Sequence, residues 1–237
     1  MKKIFTEKAV VLFSSGLDST TVLYYAMSKG YDCHCLIFDY GQRHKKEVEN
    51  AVNFAKSLKL QYHVIKTSVP WNKSSLIGTE HKIPEHRTIK AGFVPSTYVP
   101  GRNTIFLSYA ISYAETINAQ KIFIGINAVD FSSYPDCTPQ YLKAMQKVMK
   151  ALGNGIEIVA PIEKYSKGDI IKLGMKLKVP YEKTWSCYNG KDKPCGKCDS
   201  CKLRAKGFKE AGVEDPTIRT KSEAILVEQL KTTMYNV

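Results

Sequence analysis

Five short apolar runs alternate with helical patterns along most of this chain of 237 residues, and this alternation is the strongest constraint on its fold. Strands that are separated by helices form a parallel sheet with helices on both faces. The apolar runs predict strands at 9–13, 33–38, 62–65, 121–126 and 156–160. The helical patterns predict helices at 19–29, 45–58, 104–117, 140–152 and 167–177. We therefore predict an α/β fold with a ligand site at the carboxyl ends of its strands.

The first predicted strand ends in small polar residues, Ser14-Ser15-Gly16-Leu17-Asp18-Ser19-Thr20, and a helical pattern follows them. We expect Gly16 to adopt the backbone angles of a tight turn, and Ser19 or Asp18 to cap the helix. The backbone N–H groups and the positive end of the helix then form an anion site that suits phosphate. The spacing is neither that of a Walker P-loop nor that of a dinucleotide fingerprint. An ordinary turn with a helix cap is the alternative to phosphate binding.

The sequence of this turn resembles the S-G-G-x-D-S pyrophosphate loop of the ATP pyrophosphatases, enzymes that split ATP into AMP and pyrophosphate. Ser14, Gly16, Asp18 and Ser19 match that pattern, whereas Ser15 stands where the family usually has its first glycine. If this position needs a positive φ angle, serine costs roughly 1 kcal/mol there. The resemblance implies that ATP is bound by the residues Phe13, Ser14, Ser15, Gly16, Leu17, Asp18, Ser19, Thr20, Thr21, Val22 and Leu23.

Three basic residues stand near predicted helix starts, where the helix dipole disfavours positive charge. They are Arg43, Arg102 and Lys167. Their placement favours an anionic ligand, either a phosphate or a carboxylate. The alternative is that each belongs to an ordinary turn and first helical turn. Asn103 is predicted to cap the helix at 104–117, and Ser166 forms an S-x-x-[DE] capping pair with Asp169.

Polar and aromatic residues gather in the loop at 127–137, after the fourth predicted strand. Such groups can hydrogen-bond to the edge of a heterocycle and stack on its face. A polar loop with a Tyr-Pro turn is the alternative. Cys137 lies in this loop, but the sequence assigns no general base to it, so we interpret it as a small loop residue. Our candidate substrate contacts are Arg43, Asn127, Asp130, Tyr134 and Asp136.

The stretch 67–99 has no clear periodicity and contains Trp71, His81 and His86. A loop of this length in a compact domain is usually a functional flap or a subunit contact, and a plain surface excursion is the alternative. The two histidines have no cysteine near them, and their spacing argues against a metal site.

Four of the seven cysteines, Cys187, Cys195, Cys198 and Cys201, follow the spacing C-x7-C-x2-C-x2-C. Four thiolates this close together fit a tetrahedral zinc ion, which would be structural because the protein fills all four positions. An iron–sulfur cluster and two disulfides are the alternatives, although the spacing is not that of ferredoxins and a reducing compartment disfavours disulfides. We expect Gly196 to turn the chain so that N–H groups face the sulfur atoms, and a helix to follow at 202–208.

The net charge of +13 has two interpretations. A basic surface can bind RNA. Alternatively, ATP and anionic substrates need a positive cleft, and the other lysines are solvated; we favour this second interpretation because the lysines are scattered along the chain. No apolar run approaches the length of a membrane span, and no signal-peptide pattern precedes the first strand. We therefore expect a cytoplasmic protein without membrane contact.

Five motifs, taken together and in order, make the chain similar to one family, the 7-cyano-7-deazaguanine synthases of queuosine precursor biosynthesis. They are the loop at 14–19, Asp-Tyr-Gly-Gln-Arg-His at 39–44, Val-Pro-Gly-Arg-Asn at 99–103, Tyr-Pro-Asp-Cys at 134–137 and Trp-Ser-Cys-Tyr-Asn-Gly at 185–190. The resemblance runs from about residue 9 to 208, and Ser133 departs from it where the family usually has glycine. It implies a Rossmann-like sheet of the adenine nucleotide alpha hydrolase type at 1–180, followed by a zinc-binding segment and helical tail at 181–237.

The same resemblance implies an ATP-dependent ligase that converts 7-carboxy-7-deazaguanine and ammonia to a nitrile by carboxylate adenylation, amide formation and dehydration. It implies Mg²⁺ with ATP beside Asp18, and catalytic roles for Asp18, Arg102 and Lys167 on phosphate or carboxylate groups. It also implies a structural zinc ion, a homodimer and no stable nucleic-acid partner. Two alternatives stay open: a tRNA-modifying enzyme of the thiolation or lysidine type, and a non-enzymatic zinc module that binds nucleic acid. Against the first, no separate RNA-binding domain fits in 237 residues.

Overall fold

A computed structural model of the chain describes residues 7–43, 45–69, 74–77, 82–85, 94–131, 134–189 and 193–218. The strands are β1 (Glu7–Leu12), β2 (Tyr31–Asp39), β3 (Gln61–Lys66), β4 (Lys121–Phe123) and β5 (Glu157–Val159). The helices are α1 (Leu17–Ser28), α2 (Lys45–Ser57), α3 (Arg102–Ile117), α4 (Ala128–Phe131), α5 (Pro139–Leu152), α6 (Lys167–Lys176) and α7 (Asp199–Ala211). The five strands form one sheet in the order β3-β2-β1-β4-β5, and every neighbouring pair is parallel. The predicted α/β fold is confirmed.

Helices cover both faces of this sheet, and alternate residues of the central strands point to opposite sides. Val10 and Leu12 of β1 pack in a core with α3 and α5. Ala9 and Val11 pack in a second core with α1, α2, α6 and α7. Strands that are buried on both faces have no polar face, which is why residues 9–12 of β1 form a continuous apolar run.

The strand order reverses between β1 and β4, which lie side by side. Helix α1, which follows β1, covers one face of the sheet, and α5, the longer of the two described helices between β4 and β5, covers the other. A crevice opens at the carboxyl ends of two strands that are connected in this way. The approach is close: a Cβ atom on Gly125, just after β4, would lie 3.3 Å from the backbone nitrogen of Ser19. This arrangement brings the loops after β1 and β4 together.

Two predicted helix caps are wrong, and one is confirmed. No side chain caps α1, which begins after Gly16, because the Ser19 hydroxyl bonds to Ser14 and to the Gly16 carbonyl instead. Asn103 does not cap α3, because that helix begins at Arg102, two residues before the predicted start, and follows the left-handed Gly101. Ser166 and Asp169 do form the predicted capping box at the start of α6. Among the described residues, no helix has the length and apolarity that a membrane crossing requires.

A buried ion pair joins α7 to the segment that follows it. The guanidinium of Arg204 donates to both carboxylate oxygens of Asp215, at 2.6 and 2.9 Å, and each side chain is 6% exposed. The same guanidinium donates to the Thr184 hydroxyl at 2.7 Å and to the Tyr181 carbonyl at 3.1 Å. One cation therefore joins α7, the segment after it and the segment at 181–184.

Tyr181 continues this connection into the sheet domain. Its hydroxyl lies 2.8 Å from the Thr21 hydroxyl of α1 and donates to the Ile170 carbonyl of α6 at 3.1 Å. The ring occupies space beside Gly174, where a Cβ atom would lie 1.8 Å from the tyrosine oxygen. The cysteine-rich end of the chain is thus packed on α1 and α6.

The pKa of Asp215 makes the ion pair sensitive to acid. Burial by itself would raise this pKa, but the hydrogen bonds and charge of Arg204, with further hydrogen bonds from Thr217, lower it below its ordinary value. Because the pKa is lower in the folded state, the stabilisation is complete above the unfolded-state pKa of about 4. It is lost as the pH falls through the folded-state pKa.

We expect Asp215→Asn to lower the free energy of unfolding by about 3 kcal/mol at pH 7, because it leaves the charge of Arg204 buried without a counter-ion. Urea denaturation measures this change. Glu210→Gln is the matched control, since it removes one partner of an exposed pair with Lys206 on the same helix at 3.6 Å and should cost less than about 0.5 kcal/mol. The difference between Asp215→Asn and the wild type should shrink below about pH 4. Equal effects of the two substitutions at pH 7 would contradict the role given to the buried pair.

Candidate active site

A cavity of about 270 Å³ opens at the carboxyl ends of β1, β2 and β4. One part of its lining comes from the loop after β1, with Gly125 and the segment at 185–188 beside it. Another part is aromatic, and Arg102 and Asn103 at the start of α3 lie among its rings. The aromatic residues that line the cavity are Phe13, Phe38, Tyr40, Phe106, Tyr134, Trp185 and Tyr188. The cavity therefore joins a polar loop to a surface on which a flat ring could stack.

Ser15 is the turning point of the loop. Its φ angle is 59°, so it has the left-handed conformation that the sequence pattern led us to consider, and its side chain is fully buried. Gly16, which we expected to provide the turn, has an extended conformation with φ −67°. The sequence prediction therefore assigned the turn to the wrong residue of the pair.

Three hydrogen bonds hold Ser15 in this conformation. Its hydroxyl accepts from the Asn50 side chain at 3.1 Å and donates to the Glu47 carbonyl at 3.4 Å. Its carbonyl accepts from the Trp185 backbone at 2.9 Å. The loop is thereby fixed between α2 and the segment that leads into the cysteine cluster.

Asp18 and Lys167, two of the predicted catalytic residues, lie together. The Lys167 ammonium donates to Oδ2 of Asp18 at 2.5 Å, and the Asn127 side chain donates to the same oxygen at 3.3 Å. The other oxygen, Oδ1, is buried and has no hydrogen-bond partner within the described part of the chain. A buried carboxylate oxygen without a partner fits a divalent cation, since Mg²⁺ prefers oxygen ligands.

Arg102, the third predicted catalytic residue, lies in the aromatic part of the cavity. Its guanidinium donates to the Tyr40 hydroxyl at 3.1 Å. Burial raises the pKa of Tyr40, so this hydroxyl stays neutral beside the cation. An arginine that is set in an aromatic wall can bind a planar carboxylate through two parallel hydrogen bonds.

The structure places the predicted substrate contacts in different surroundings. Arg43 and Tyr134 line the cavity. Asn127 is buried beside Asp18, so it lies behind the loop after β1 rather than among the aromatic rings. Asp136 is also buried, and its carboxylate accepts from the Asn103 backbone at 2.9 Å, at the start of α3. The side chain of Asp130 and the motif residues His44 and Ser133 lie outside the described part of the structure.

Sequence reasoning missed Glu47, which also lines the cavity. It lies in the first turn of α2, where burial raises the pKa of its carboxyl, and Arg102 and Ser14 oppose that rise. An acidic residue in the first turn of a helix is usually interpreted as a favourable contact with the helix dipole. The available signal was its position four residues after Arg43, on the helix that follows a predicted ligand-binding strand end.

The four cysteines of the C-terminal cluster come together. Their sulfur atoms all lie within 4.8 Å of one another. The backbone N–H groups of Lys197 and Cys198 both donate to the sulfur of Cys195. Gly196, which lies between Cys195 and Lys197, has the expected positive φ angle, 70°. An all-sulfur set with this geometry could hold a metal ion.

Hydrogen bonds also prepare Cys187 to bind a cation. The thiols of Cys198 and Cys201, followed by the backbone N–H groups of Cys195 and Asn189, lower the pKa of Cys187 despite its burial. Cys187 lies two residues after Trp185, whose ring nitrogen donates to the Cys187 carbonyl at 3.0 Å. The cluster is therefore connected to the wall of the cavity by a short, hydrogen-bonded segment.

Parts of the long loop at 67–99 also reach the site. Leu76 and Thr97 line the cavity, and Ile83 packs beside Trp185 in the core around the cysteines. Trp71, His81 and His86, which we considered in the sequence of this loop, lie outside the described residues. Whether this loop is a flap or a subunit contact stays a prediction.

Comparison with known proteins gives one consistent result. A family model described as queuosine biosynthesis protein QueC matches residues 8–212. The 7-cyano-7-deazaguanine synthase of Picrophilus torridus is 52% identical over 211 residues, which cover 86% of this chain and 88% of the relative. The synthase of Trichodesmium erythraeum is 47% identical over 219 residues, which cover 88% and 99%. Likeness to a solved NMN synthetase from Francisella tularensis is much lower, with a TM-score of 0.46 at 15% identity over 89% of this chain and 79% of that one, and it carries no functional argument.

We expect Ser15→Ala to be less stable than Ser15→Gly by about 1 kcal/mol, because both lose the hydroxyl contacts and only alanine keeps the cost of the left-handed conformation. The wild type should be more stable than Ser15→Ala by about 1 kcal/mol, the net value of a hydrogen bond. Urea denaturation of the three proteins measures both differences. An alanine variant at least as stable as the glycine variant would contradict the left-handed geometry.

We expect Cys201→Ala to abolish tight metal binding, since a structural site depends on all four ligands. Cys33→Ala is the matched control, because Cys33 is a buried cysteine in β2 that does not belong to the cluster. Metal content per chain is measured by atomic emission spectroscopy after dialysis against a weak chelator. Equal metal content in the two variants would show that the cluster does not hold the ion.

Proposed function

The chain belongs to the family of the queuosine biosynthesis protein QueC, and from that premise we propose that it converts 7-carboxy-7-deazaguanine and ammonia to 7-cyano-7-deazaguanine, with cleavage of ATP to AMP and pyrophosphate. The observation that carries the proposal is the cavity at the β1–β4 crevice, because it combines a loop suited to phosphate with an aromatic surface suited to a deazapurine. A tRNA-modifying enzyme of the thiolation or lysidine type is not favoured, since the similar curated proteins are named as synthases.

In the first step the substrate carboxylate attacks the α-phosphorus of ATP, and pyrophosphate leaves. The loop at 14–19 binds the phosphates through backbone N–H groups at the start of α1. Lys167 binds Asp18 of this loop, so Lys167 is placed to stabilise negative charge on the leaving group. When Mg²⁺ is bound, Asp18 would hold it, and the ion would neutralise charge on the phosphates.

The deazapurine lies in the aromatic part of the cavity. Its ring can stack on Tyr40, Phe106, Tyr134 or Tyr188, and Arg102 can hold the carboxylate between the ring and the loop. This places the reacting oxygen toward the α-phosphorus. Correct placement is a large part of catalysis in reactions of this kind.

Ammonia then attacks the acyl carbon of the adenylate. A C–N bond forms, the C–O bond to AMP breaks, and the amide is produced with loss of a proton. In a second round the amide oxygen attacks the α-phosphorus of another ATP, and pyrophosphate leaves. The activated amide then loses both of its N–H protons, and its C–O bond breaks as AMP leaves, which gives the nitrile. The same cavity serves both rounds, because the group that is activated stays on the same carbon atom.

We further propose that the four cysteines hold zinc and that its role is structural. The Cys187 end of the cluster is hydrogen-bonded to Trp185, which in turn holds Ser15, so an ordered cluster would keep the loop after β1 in position. We also propose that the protein is a homodimer in the cytoplasm.

Neither Asn127 nor Asp136 lines the cavity, so we propose that their contribution to substrate binding is indirect. Asn127 would act through the position of Asp18, and Asp136 through the position of α3.

We expect the purified protein to form 7-cyano-7-deazaguanine, AMP and pyrophosphate from 7-carboxy-7-deazaguanine, ammonium, ATP and Mg²⁺, as measured by mass spectrometry. Lys167→Ala should lower substrate-dependent exchange of pyrophosphate into ATP by about 100-fold, because a cation at the phosphates is lost. Lys164→Ala is the matched control, since that lysine is exposed and lies three residues earlier. Absence of the nitrile with the wild type would reject the proposed reaction, and equal exchange by the two variants would reject the role of Lys167.

A further inference from the structure

Only two acidic side chains are found among the described residues that line the cavity, Asp18 and Glu47. The carboxylate of Asp18 is already engaged by Lys167 and Asn127. Glu47 lines the cavity together with Ser14 and Arg102, and its backbone carbonyl accepts a hydrogen bond from the Ser15 hydroxyl at 3.4 Å. The cavity therefore contains a second carboxylate, on a different helix, to which phosphate binding assigns no role.

Glu47 shares the wall of the cavity with residues from three other parts of the chain. Ser14 belongs to the loop after β1, Arg102 begins α3, and Tyr40, which accepts a hydrogen bond from Arg102, follows β2. The backbone of Glu47 is itself held at the loop, because its carbonyl accepts a hydrogen bond from the Ser15 hydroxyl at 3.4 Å. The cavity that would hold ATP and the substrate is therefore lined by Glu47 as well as by the loop and the arginine.

Ionising a carboxylate in this cavity costs free energy, and the binding of phosphate alone does not explain why a carboxylate is present. Burial raises the pKa of Glu47 above its ordinary value, and the opposing effects of Arg102 and Ser14 do not cancel that rise. Anionic ATP and substrate would repel the ionised group further. A cationic reactant would instead be attracted to it.

The proposed reaction uses such a cation. Ammonium predominates over ammonia at neutral pH, and ammonium has no lone pair with which to attack a carbonyl carbon. A carboxylate whose pKa is raised toward the working pH is an effective proton acceptor. The chemistry needed at the acyl carbon and the chemistry available from Glu47 therefore match.

We propose that Glu47 binds the ammonium ion and accepts its proton during amide formation. One N–H bond of ammonium breaks and its proton moves to a Glu47 oxygen, which leaves ammonia with a lone pair directed at the acyl carbon. The C–N bond then forms, AMP leaves with the electron pair of the broken C–O bond, and the proton that the new amide loses passes to solvent. This inference rests on the proposed function of the same site.

Comparison of two nucleophiles tests the inference directly. We expect Glu47→Gln to lower the rate of amide formation with ammonium by about 100-fold or more, the usual contribution of a positioned base. Hydroxylamine is already neutral at pH 7, so hydroxamate formation by the variant should stay within a few-fold of the wild-type rate. Glu49→Gln is the matched control, because Glu49 is an exposed residue of the same helix. Glu47→Asp, which keeps the charge, should recover part of the ammonium-dependent rate.

The pH profile provides a second readout that a merely structural role would not change. In Glu47→Gln the ammonium-dependent rate should rise in proportion to the fraction of free ammonia as the pH increases. In the wild type this dependence should be weaker, because Glu47 performs the deprotonation. An unchanged pH profile in the variant, or a rate with ammonium equal to that of the wild type, would overturn the proposal.

Pyrophosphate exchange separates this inference from the proposed function. The wild type and Glu47→Gln should both exchange pyrophosphate into ATP when 7-carboxy-7-deazaguanine is present, since adenylation precedes use of ammonia. Exchange that is lost in Glu47→Gln together with both nucleophiles would make Glu47 a positioning residue for the loop and overturn its role as a base. No exchange by the wild type would reject the proposed function itself.

Discussion

The left-handed turn at Ser15 is the constraint on which the site depends. The chain must reverse there so that the loop after β1 faces the crevice beside β4, and serine adopts that conformation only at a cost. Contacts from two directions stabilise it: Asn50 of α2 binds the hydroxyl, and the Trp185 backbone binds the carbonyl. The loop therefore has its shape because distant parts of the chain hold it, and the side chain that departs from the family pattern has its own hydrogen bonds.

The segment at 181–187 connects this turn to the cysteine cluster and to the fold. Thr184 and Tyr181 are bound by the buried Arg204 of α7, Trp185 holds Ser15, and Cys187 belongs to the cluster. Seven consecutive residues thus bind the buried arginine of the ion pair, hold the loop and supply one cysteine of the cluster. Stability and site geometry are coupled here, because disorder in the cluster would release the segment that supports the loop.

The local sequence pattern predicted the strands and helices, whereas contacts between residues far apart in the sequence determine the helix caps and the surroundings of Glu47. Strands β1 and β2 and the capping box at Ser166 could be predicted because each depends on apolar periodicity or on residues three apart. The caps expected at Ser19 and Asn103 failed since the chain found other partners: Ser14 binds Ser19, and the start of α3 is bound by Asp136, 33 residues away. Glu47 escaped notice for the same reason. Its proposed role depends on Ser14 and Arg102, and no residue close to Glu47 in the sequence indicates that these two would lie near it.

The charge of the cavity changes the interpretation of the net charge of +13. Among its described lining residues two are basic, Arg43 and Arg102, and two are acidic, Asp18 and Glu47, so the side chains of the lining balance each other. In the proposed reaction, attraction for the phosphates of ATP would then come from the backbone N–H groups at the start of α1, from Lys167 beside Asp18 and from any bound cation. A balanced lining also fits the proposal that one cavity accepts an anionic nucleotide and a cationic nitrogen source, since a uniformly basic cleft would bind the first and repel the second.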